Sequence, residues 1–241
     1  MSLIPESDAS VLRFSSVCFS YSKAPVLKGL SLSVSGSEIV GLLGVNGAGK
    51  TTSFRLATGL LAPRSGEVSV VGHNPSQSKE WTYSVGVLMA GGGLYPRLTV
   101  RRNLEFFARL YGLRIDMDEH LARHGLSRFA DKPASQLSHG FKRRLALARA
   151  TLHSPRLLLL DEPADGLDPA ATEALHAHLR GFREEGGAVL LASHRLEEIE
   201  QLCDRVVLLS DGCIVMEGAP KDLTRSLDGG GLRALILKLQ S

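Results

Sequence analysis

"SEIVGLLGVNGAGKTT", residues 37–52, sets the fold by its order of residue types. "SEIVGLLG" is a nearly continuous apolar run of strand length, glycines follow at once, and a helix-forming segment runs on to Gly59 with Pro63 beyond it as a stop. The reading is strand, loop, helix. Gly44 to Thr51 fits the pattern G-x-x-x-x-G-K-[ST], and the flanking strand and helix are the context that gives the pattern meaning. Glycines let a backbone wrap closely around phosphates with its N–H groups inward, and a helix start adds partial positive charge. Gly44, Val45, Asn46, Gly47, Ala48, Gly49, Lys50, Thr51 and Thr52 are therefore the expected phosphate loop. Lys50 would reach the β- and γ-phosphates of ATP, and the Thr51 hydroxyl would ligate Mg²⁺.

Two further apolar runs, "RLLLLDE" and "GAVLLASH", are separated by a helical stretch starting after Pro169. That alternation is the grammar of a parallel sheet covered by helices. Asp161 ends the first run, where a carboxylate can hold Mg²⁺ through water, and Glu162 lies one residue closer to the γ-phosphate, where it can polarise attacking water. A carboxylate pair there could instead cap the next helix. His194 ends the second run, where α/β sheets carry functional groups, and it is read as a γ-phosphate contact rather than a structural histidine.

Outside these runs, "VLRFSSVCFSY" and "LSLSV" alternate as a half-exposed antiparallel sheet would. Residues 97–134, between Pro96 and Pro133, lack strand alternation, and Leu104, Phe107, Ala108 and Tyr111 fall at helical spacing. They are expected to form a helical insertion. "RVVLLSD" and "CIVMEG" meet at Asp211-Gly212, a hairpin signal. Residues 1–225 are thus expected to form one nucleotide-binding domain, with 226–241 a glycine-rich hinge and apolar tail.

Composition narrows the function. Basic residues number 28 and acidic residues 25, so the net charge is only +3 and is spread along the chain, which argues against nucleic acid as a partner. No apolar run approaches the roughly 20 residues of a membrane-spanning helix. "MSLIPESDAS" carries acidic residues and no hydrophobic core, unlike a secretory signal, so a cytoplasmic location is expected. Cys18, Cys203 and Cys213 lack metal-ligand spacing and are expected as small core residues.

"QLSHGFKRRLALARA", residues 136–150, sets Lys142, Arg143, Arg144 and Arg149 against an apolar stripe of Phe141, Leu145, Ala148 and Leu152. Taken alone it could grip nucleic acid or a membrane. The phosphate loop, then "LSHGF" before a helix at 138–153, then "LLLLDEP", "DGLDP" and "ASH", in this order, resemble the nucleotide-binding subunit of ATP-binding cassette (ABC) transporters, over residues 11–225 or so. The resemblance implies an α/β fold: a P-loop ATPase core with an N-terminal antiparallel β-subdomain and a helical subdomain. It also implies that Leu137, Ser138, His139, Gly140 and Phe141 are the signature whose Ser138 and Gly140 meet the γ-phosphate of ATP held by another copy. Tyr21 falls where the family stacks an aromatic ring on adenine, with a sheet-surface tyrosine as the alternative. Asp168 falls where the family links the two sites of a dimer.

Two motifs depart from the pattern. "LSHGF" replaces the commonest "LSGGQ", with Ser138 and Gly140 retained. The glutamine the family uses on Mg²⁺ and as a sensor of its membrane partner is replaced by Ala90 in "VLMAGGGLYP", and no glutamine occurs between Gln77 and Gln136. The resemblance implies a homodimer or heterodimer of ATPase subunits at the cytoplasmic face of the membrane, driving an integral membrane permease encoded separately. Export is favoured over import. A soluble cassette acting on ribosomes or DNA is disfavoured, because such chains carry two cassettes or a long coiled-coil insertion.

Overall fold

The structure, a computed structural model, describes residues 10–89 and 93–226. The elements in chain order are β1 (Ser10–Phe19), β2 (Leu27–Ser35), β3 (Ile39–Gly44), α1 (Lys50–Ala57), β4 (Ser65–Val70), β5 (Val85–Leu88), α2 (Val100–Leu110), α3 (Met117–Arg123) and α4 (His139–Thr151), followed by β6 (Leu157–Asp161), α5 (Pro169–Glu184), β7 (Ala188–Ser193), α6 (Leu196–Leu202), β8 (Arg205–Ser210), β9 (Cys213–Gly218) and α7 (Pro220–Ser226).

Every residue of β3, β6 and β7 is buried, as the unbroken apolar runs require of strands covered on both faces. They form the middle of a six-stranded sheet ordered β5-β6-β7-β3-β8-β9, parallel except for the final β8–β9 pair. Leu43 pairs with Ser193, and Asp161 pairs with Ala192. This register brings Gly44, Asp161 and Ser193 to one level at the carboxyl edge, where parallel sheets bind ligands. The β8–β9 turn has φ of +47° at Asp211 and +78° at Gly212, the paired left-handed residues of a tight hairpin.

A three-stranded antiparallel sheet, β2-β1-β4, packs its buried face onto this layer through Leu12, Phe14, Leu30, Leu32 and Val68. Neither β4 nor β5 stood out in the sequence: Ser65–Val70 is mostly exposed and short, and Val85–Leu88 has only four residues. Cys203 is buried as expected, but Cys18 and Cys213 are only half-buried, because each lies on a strand face open to one side.

The helical insertion holds two helices, α2 and α3, with turns and short 3₁₀ segments between and after them. Thr99 caps α2 by accepting from Arg102 N–H, and Asp116 caps α3 by accepting from Asp118 and Glu119 N–H. Buried Asn103 ties the entry to α2, donating to the carbonyls of Tyr95, Leu98 and Thr99 while accepting from Tyr95 N–H. Helix α4 belongs to both parts of the molecule. Leu145, Ala148 and Leu152 pack with Val100, Leu104 and Leu121 of the helical insertion, while Ala146, Leu147 and Ala150 pack toward the sheet. A helix clasped on two sides has no long basic face to offer.

Candidate active site

The phosphate loop leaves β3 at Gly44 and enters α1 at Lys50. Gly49, at φ +112°, is the residue before the helix, and a Cβ there would fall 2.6 Å from Leu27 Cδ2. A side chain is thus excluded both by conformation and by space. Outside support comes from the hairpin: Gly212 N–H donates to Ala48 O at 3.2 Å, and a Cβ at Gly212 would lie 2.3 Å from Val26 O. Gly212 is a supporting residue that sequence reading identified only as a turn.

Lys50 is buried, and its Nζ donates back to the carbonyls of Gly44 at 2.5 Å and Val45 at 3.2 Å. Burial lowers its pKa from the ordinary lysine value, while the charges of Glu162 and Asp161 oppose that shift. Thr51 Oγ1 lies 3.5 Å from Asp161 Oδ2. Burial raises the pKa of Asp161, and neighbouring Glu162 pushes the same way against Lys50. A hydroxyl and a carboxylate converging beside a lysine form an oxygen donor set that fits Mg²⁺, a hard cation that keeps several waters.

Glu162 adopts φ of +50°, a left-handed conformation uncommon outside glycine. Its N–H donates to Ala192 O at 2.9 Å, and Arg143 from α4 anchors the turn on the other side. The Arg143 guanidinium donates to Asp161 O at 2.8 Å, to Pro163 O at 3.1 Å and to Glu162 O. So turned, Glu162 meets His194: Oε2 lies 2.9 Å from His194 Nδ1 and 3.3 Å from His194 N. His194 remains 60% exposed, which leaves its ring open to a ligand. Arg143 and Arg149 answer the question of the basic stretch, since Arg149 likewise donates to the carbonyls of Val87 and Gly93, at 2.9 and 2.8 Å.

The strand-edge residues therefore form one cluster: the 44–52 loop, Asp161, Glu162 and His194. Tyr21 stands beside it, 54% exposed, with its hydroxyl accepting from Arg55 at 2.9 Å and its ring edge-on to Phe19. The signature residues lie apart. Leu137 is buried, Ser138 caps α4 by accepting from Phe141 N–H, and Phe141 packs on Phe129 at a ring distance of 4.3 Å. The N–H groups of His139 and Gly140, in the first turn, have no acceptor within their own helix. Among the described residues, no hydrogen bond joins residues 138–141 to the phosphate loop. Asp168 caps α5, accepting from Ala171 N–H at 2.7 Å. Ala90, Gly91 and Gly92, in the departure from the glutamine position, lie outside the described residues, as does the tail from 227 onward.

The ABC transporter family profile matches residues 27–165, which include the phosphate loop, the signature and the Asp161–Glu162 pair. This chain belongs to the ABC transporter family, as an ATP-binding subunit. Nod factor export ATP-binding protein I of Rhizobium etli is 38% identical over 226 residues, covering 91% of this chain and 72% of the relative. A solved ATP-binding subunit of an ABC transporter superposes with a TM-score of 0.87 at 30% identity, covering 96% of this chain and all of that one. The cbiO1 protein of Clostridium perfringens, part of the ABC transporter complex cbiONQ, is 26% identical with a TM-score of 0.78, over 97% of this chain and 100% of the other. The family binds ATP, generally with Mg²⁺, and membership implies ATP hydrolysis. Among the described residues, no helix of this chain is long and apolar enough to cross a membrane.

Proposed function

We propose that the chain binds ATP on its own phosphate loop, completes each site with Ser138 and Gly140 of a second ATPase subunit, and uses the resulting hydrolysis to drive export by a membrane permease. One observation carries this reading: the strand edge gathers a phosphate cradle, a metal donor pair and a carboxylate–histidine pair, while the helix start at Ser138 stands apart with free N–H donors. A helix start of this kind binds a phosphate presented from outside.

Lys50 leaves the carbonyls of Gly44 and Val45 to meet the β- and γ-phosphates. Thr51 and Asp161 would hold Mg²⁺, which would supply neutralisation of charge on the phosphates. Tyr21 offers its flat face to adenine. Glu162 takes the proton of the attacking water, whose oxygen bonds to the γ-phosphorus as the bond to the ADP oxygen breaks and ADP leaves with that electron pair. His194 orients Glu162, and its exposed ring contacts the γ-phosphate. Asp168, at the head of α5, faces the second copy and links the two sites.

An exposed apolar patch supports the permease reading. Tyr95, Phe106 and Leu110, 45%, 42% and 66% exposed, gather at α2 and the turn before it, just after residues 89–93 where the family senses its membrane partner. Surfaces of this kind mark protein contacts. The name of the Rhizobium etli relative supports export, and the cbiO1 title supports a multi-subunit complex. On this reading the chain sits peripherally at the cytoplasmic face. Purification of the tagged chain from detergent extracts tests it: a multi-span membrane protein should co-purify stoichiometrically, and ribosomes or DNA in its place would overturn the transport reading.

A further inference from the structure

Several buried polar groups that the proposed reaction does not use converge on the turn carrying His194. Ser193, fully buried at the end of β7, donates from Oγ to Glu198 Oε2 at 2.6 Å and accepts from Arg195 N–H at 3.0 Å. These two bonds hold the backbone on either side of His194. Glu198, on α6, is only 3% exposed, and its second oxygen faces His176 Nε2 across 3.7 Å. His176 projects from α5 and is 1% exposed. Among the described residues, Glu198 Oε1 and both ring nitrogens of His176 lack a hydrogen-bond partner.

Folding alone does not favour this arrangement. A buried carboxylate facing a buried imidazole loses hydration on both sides, and apolar residues of the same volume would fill the seam without that penalty. Groups left incompletely paired in a core call for another reason to be there. Glu198 also acts on the charge of Arg143 of α4 and on the Cys203 thiol just after α6. Arg143 is itself committed to the carbonyls around Glu162.

We propose that Glu198 is a positioning residue for His194, fixing the turn through Ser193 and tying it through His176 to α5. Because Asp168 caps that same helix, displacement of α5 when a second subunit docks reaches His194 through three side chains. This inference rests on the assignment of His194 to the γ-phosphate. It adds a residue that touches neither nucleotide nor water and still governs turnover.

The test is a double-mutant cycle on Mg-ATP hydrolysis by the full chain, with a thermal melt of every variant to establish folding. His194→Ala alone should lower kcat; an unchanged rate refutes the assignment of His194 itself, independently of Glu198. Glu198→Ala should lower kcat about 10-fold with KM for ATP within about twofold, Glu198→Gln should recover much of that loss by keeping an acceptor for Ser193, and His176→Leu should cost about threefold. In the His194→Ala background all three effects should shrink to within about 1.5-fold. Should Glu198→Ala fail to fold, Glu198→Gln and His176→Leu carry the cycle. Effects that persist at full size without His194, or that fall on KM and not kcat, overturn the proposal.

Discussion

Around Lys50, Asp161 and Glu162 the backbone is fixed by strands with every residue buried, whereas Ser138 to Phe141 hang on the first turn of a helix shared between two subdomains. The strand edge is held by sheet hydrogen bonds and apolar packing, with the Glu162 turn additionally anchored by Arg143. The signature is held by α4, which is anchored to the sheet by arginines on backbone carbonyls and to α3 and α5 by a row of histidines. His120 Nε2 meets Ala148 O at 2.8 Å, His124 Nε2 meets Thr151 Oγ1 at 3.1 Å, and the His124 ring lies 4.8 Å from both the His120 and His178 rings. Rigid strands suit a site that must bind phosphates alone. On the proposed reading, a polar seam suits an element that shifts when another subunit docks.

Removing a charge from the rigid half should have the largest effect. Lys50→Ala is expected to weaken ATP binding about 100-fold or more, because the cation contacts phosphates before any chemistry. A nucleotide titration by fluorescence checks this; His194→Ala should leave the same titration nearly unchanged. The reverse ordering would collapse the distinction between binding and turnover groups.

An intermediate effect is expected where the two halves join. Arg143→Leu removes the donors to Asp161, Glu162 and Pro163 carbonyls and frees Glu162 from its left-handed turn. Turnover should fall about 10- to 30-fold with ATP affinity within about threefold, since the loss concerns alignment and not the phosphate cradle. Steady-state ATPase kinetics together with the titration separate these quantities. Equal losses in both would mean that Arg143 supports the whole edge.

The smallest effect should come from pH. Burial holds His124 far below its ordinary value, at about 2, with His178, His120 and Arg123 adding repulsion, and burial lowers His120 and His178 as well. A histidine neutral in the fold and free to protonate when unfolded contributes its full stability above about pH 6.5, and loses it as pH falls below that value. Between pH 6.5 and 5.5 His124 alone should cost on the order of 1 kcal/mol, or a few degrees in Tm. Thermal melts at pH 7.5 and 5.5 measure the loss, and His124→Gln should flatten it. Hydrogen exchange should place the first opening in α3 and not in β3, β6 or β7.

The same contrast explains what could be read from the residues alone. The meeting of the 44–52 loop, Asp161, Glu162 and His194 at one sheet edge was legible because buried strands leave continuous apolar runs, and the candidate residues stand where the runs stop. The Asp211-Gly212 turn was legible because left-handed angles select residue types. Strands β4 and β5 were not, since the first half of one is exposed and the other has only four residues. The basic face of α4 could be read as turned toward the rest of the domain or the solvent, but not which partners Arg143 meets: its carbonyl partners at 161–163 are brought to it by tertiary folding, and a carbonyl leaves no mark in a sequence. Glu198 and His176 were silent for a related reason, because the partner that buries each polar side chain is brought to it by tertiary folding.

The shared-site account is tested most directly by the mass in solution of Glu162→Gln with and without Mg-ATP, measured by light scattering. Glutamine keeps the shape of the side chain but cannot take the proton from water, so hydrolysis should slow about 100-fold or more while binding persists. The account predicts one chain per particle without nucleotide and two chains with Mg-ATP, with the second form abolished when Ser138 is replaced by Arg. A Glu162→Gln chain that binds Mg-ATP and remains a single copy would contradict it.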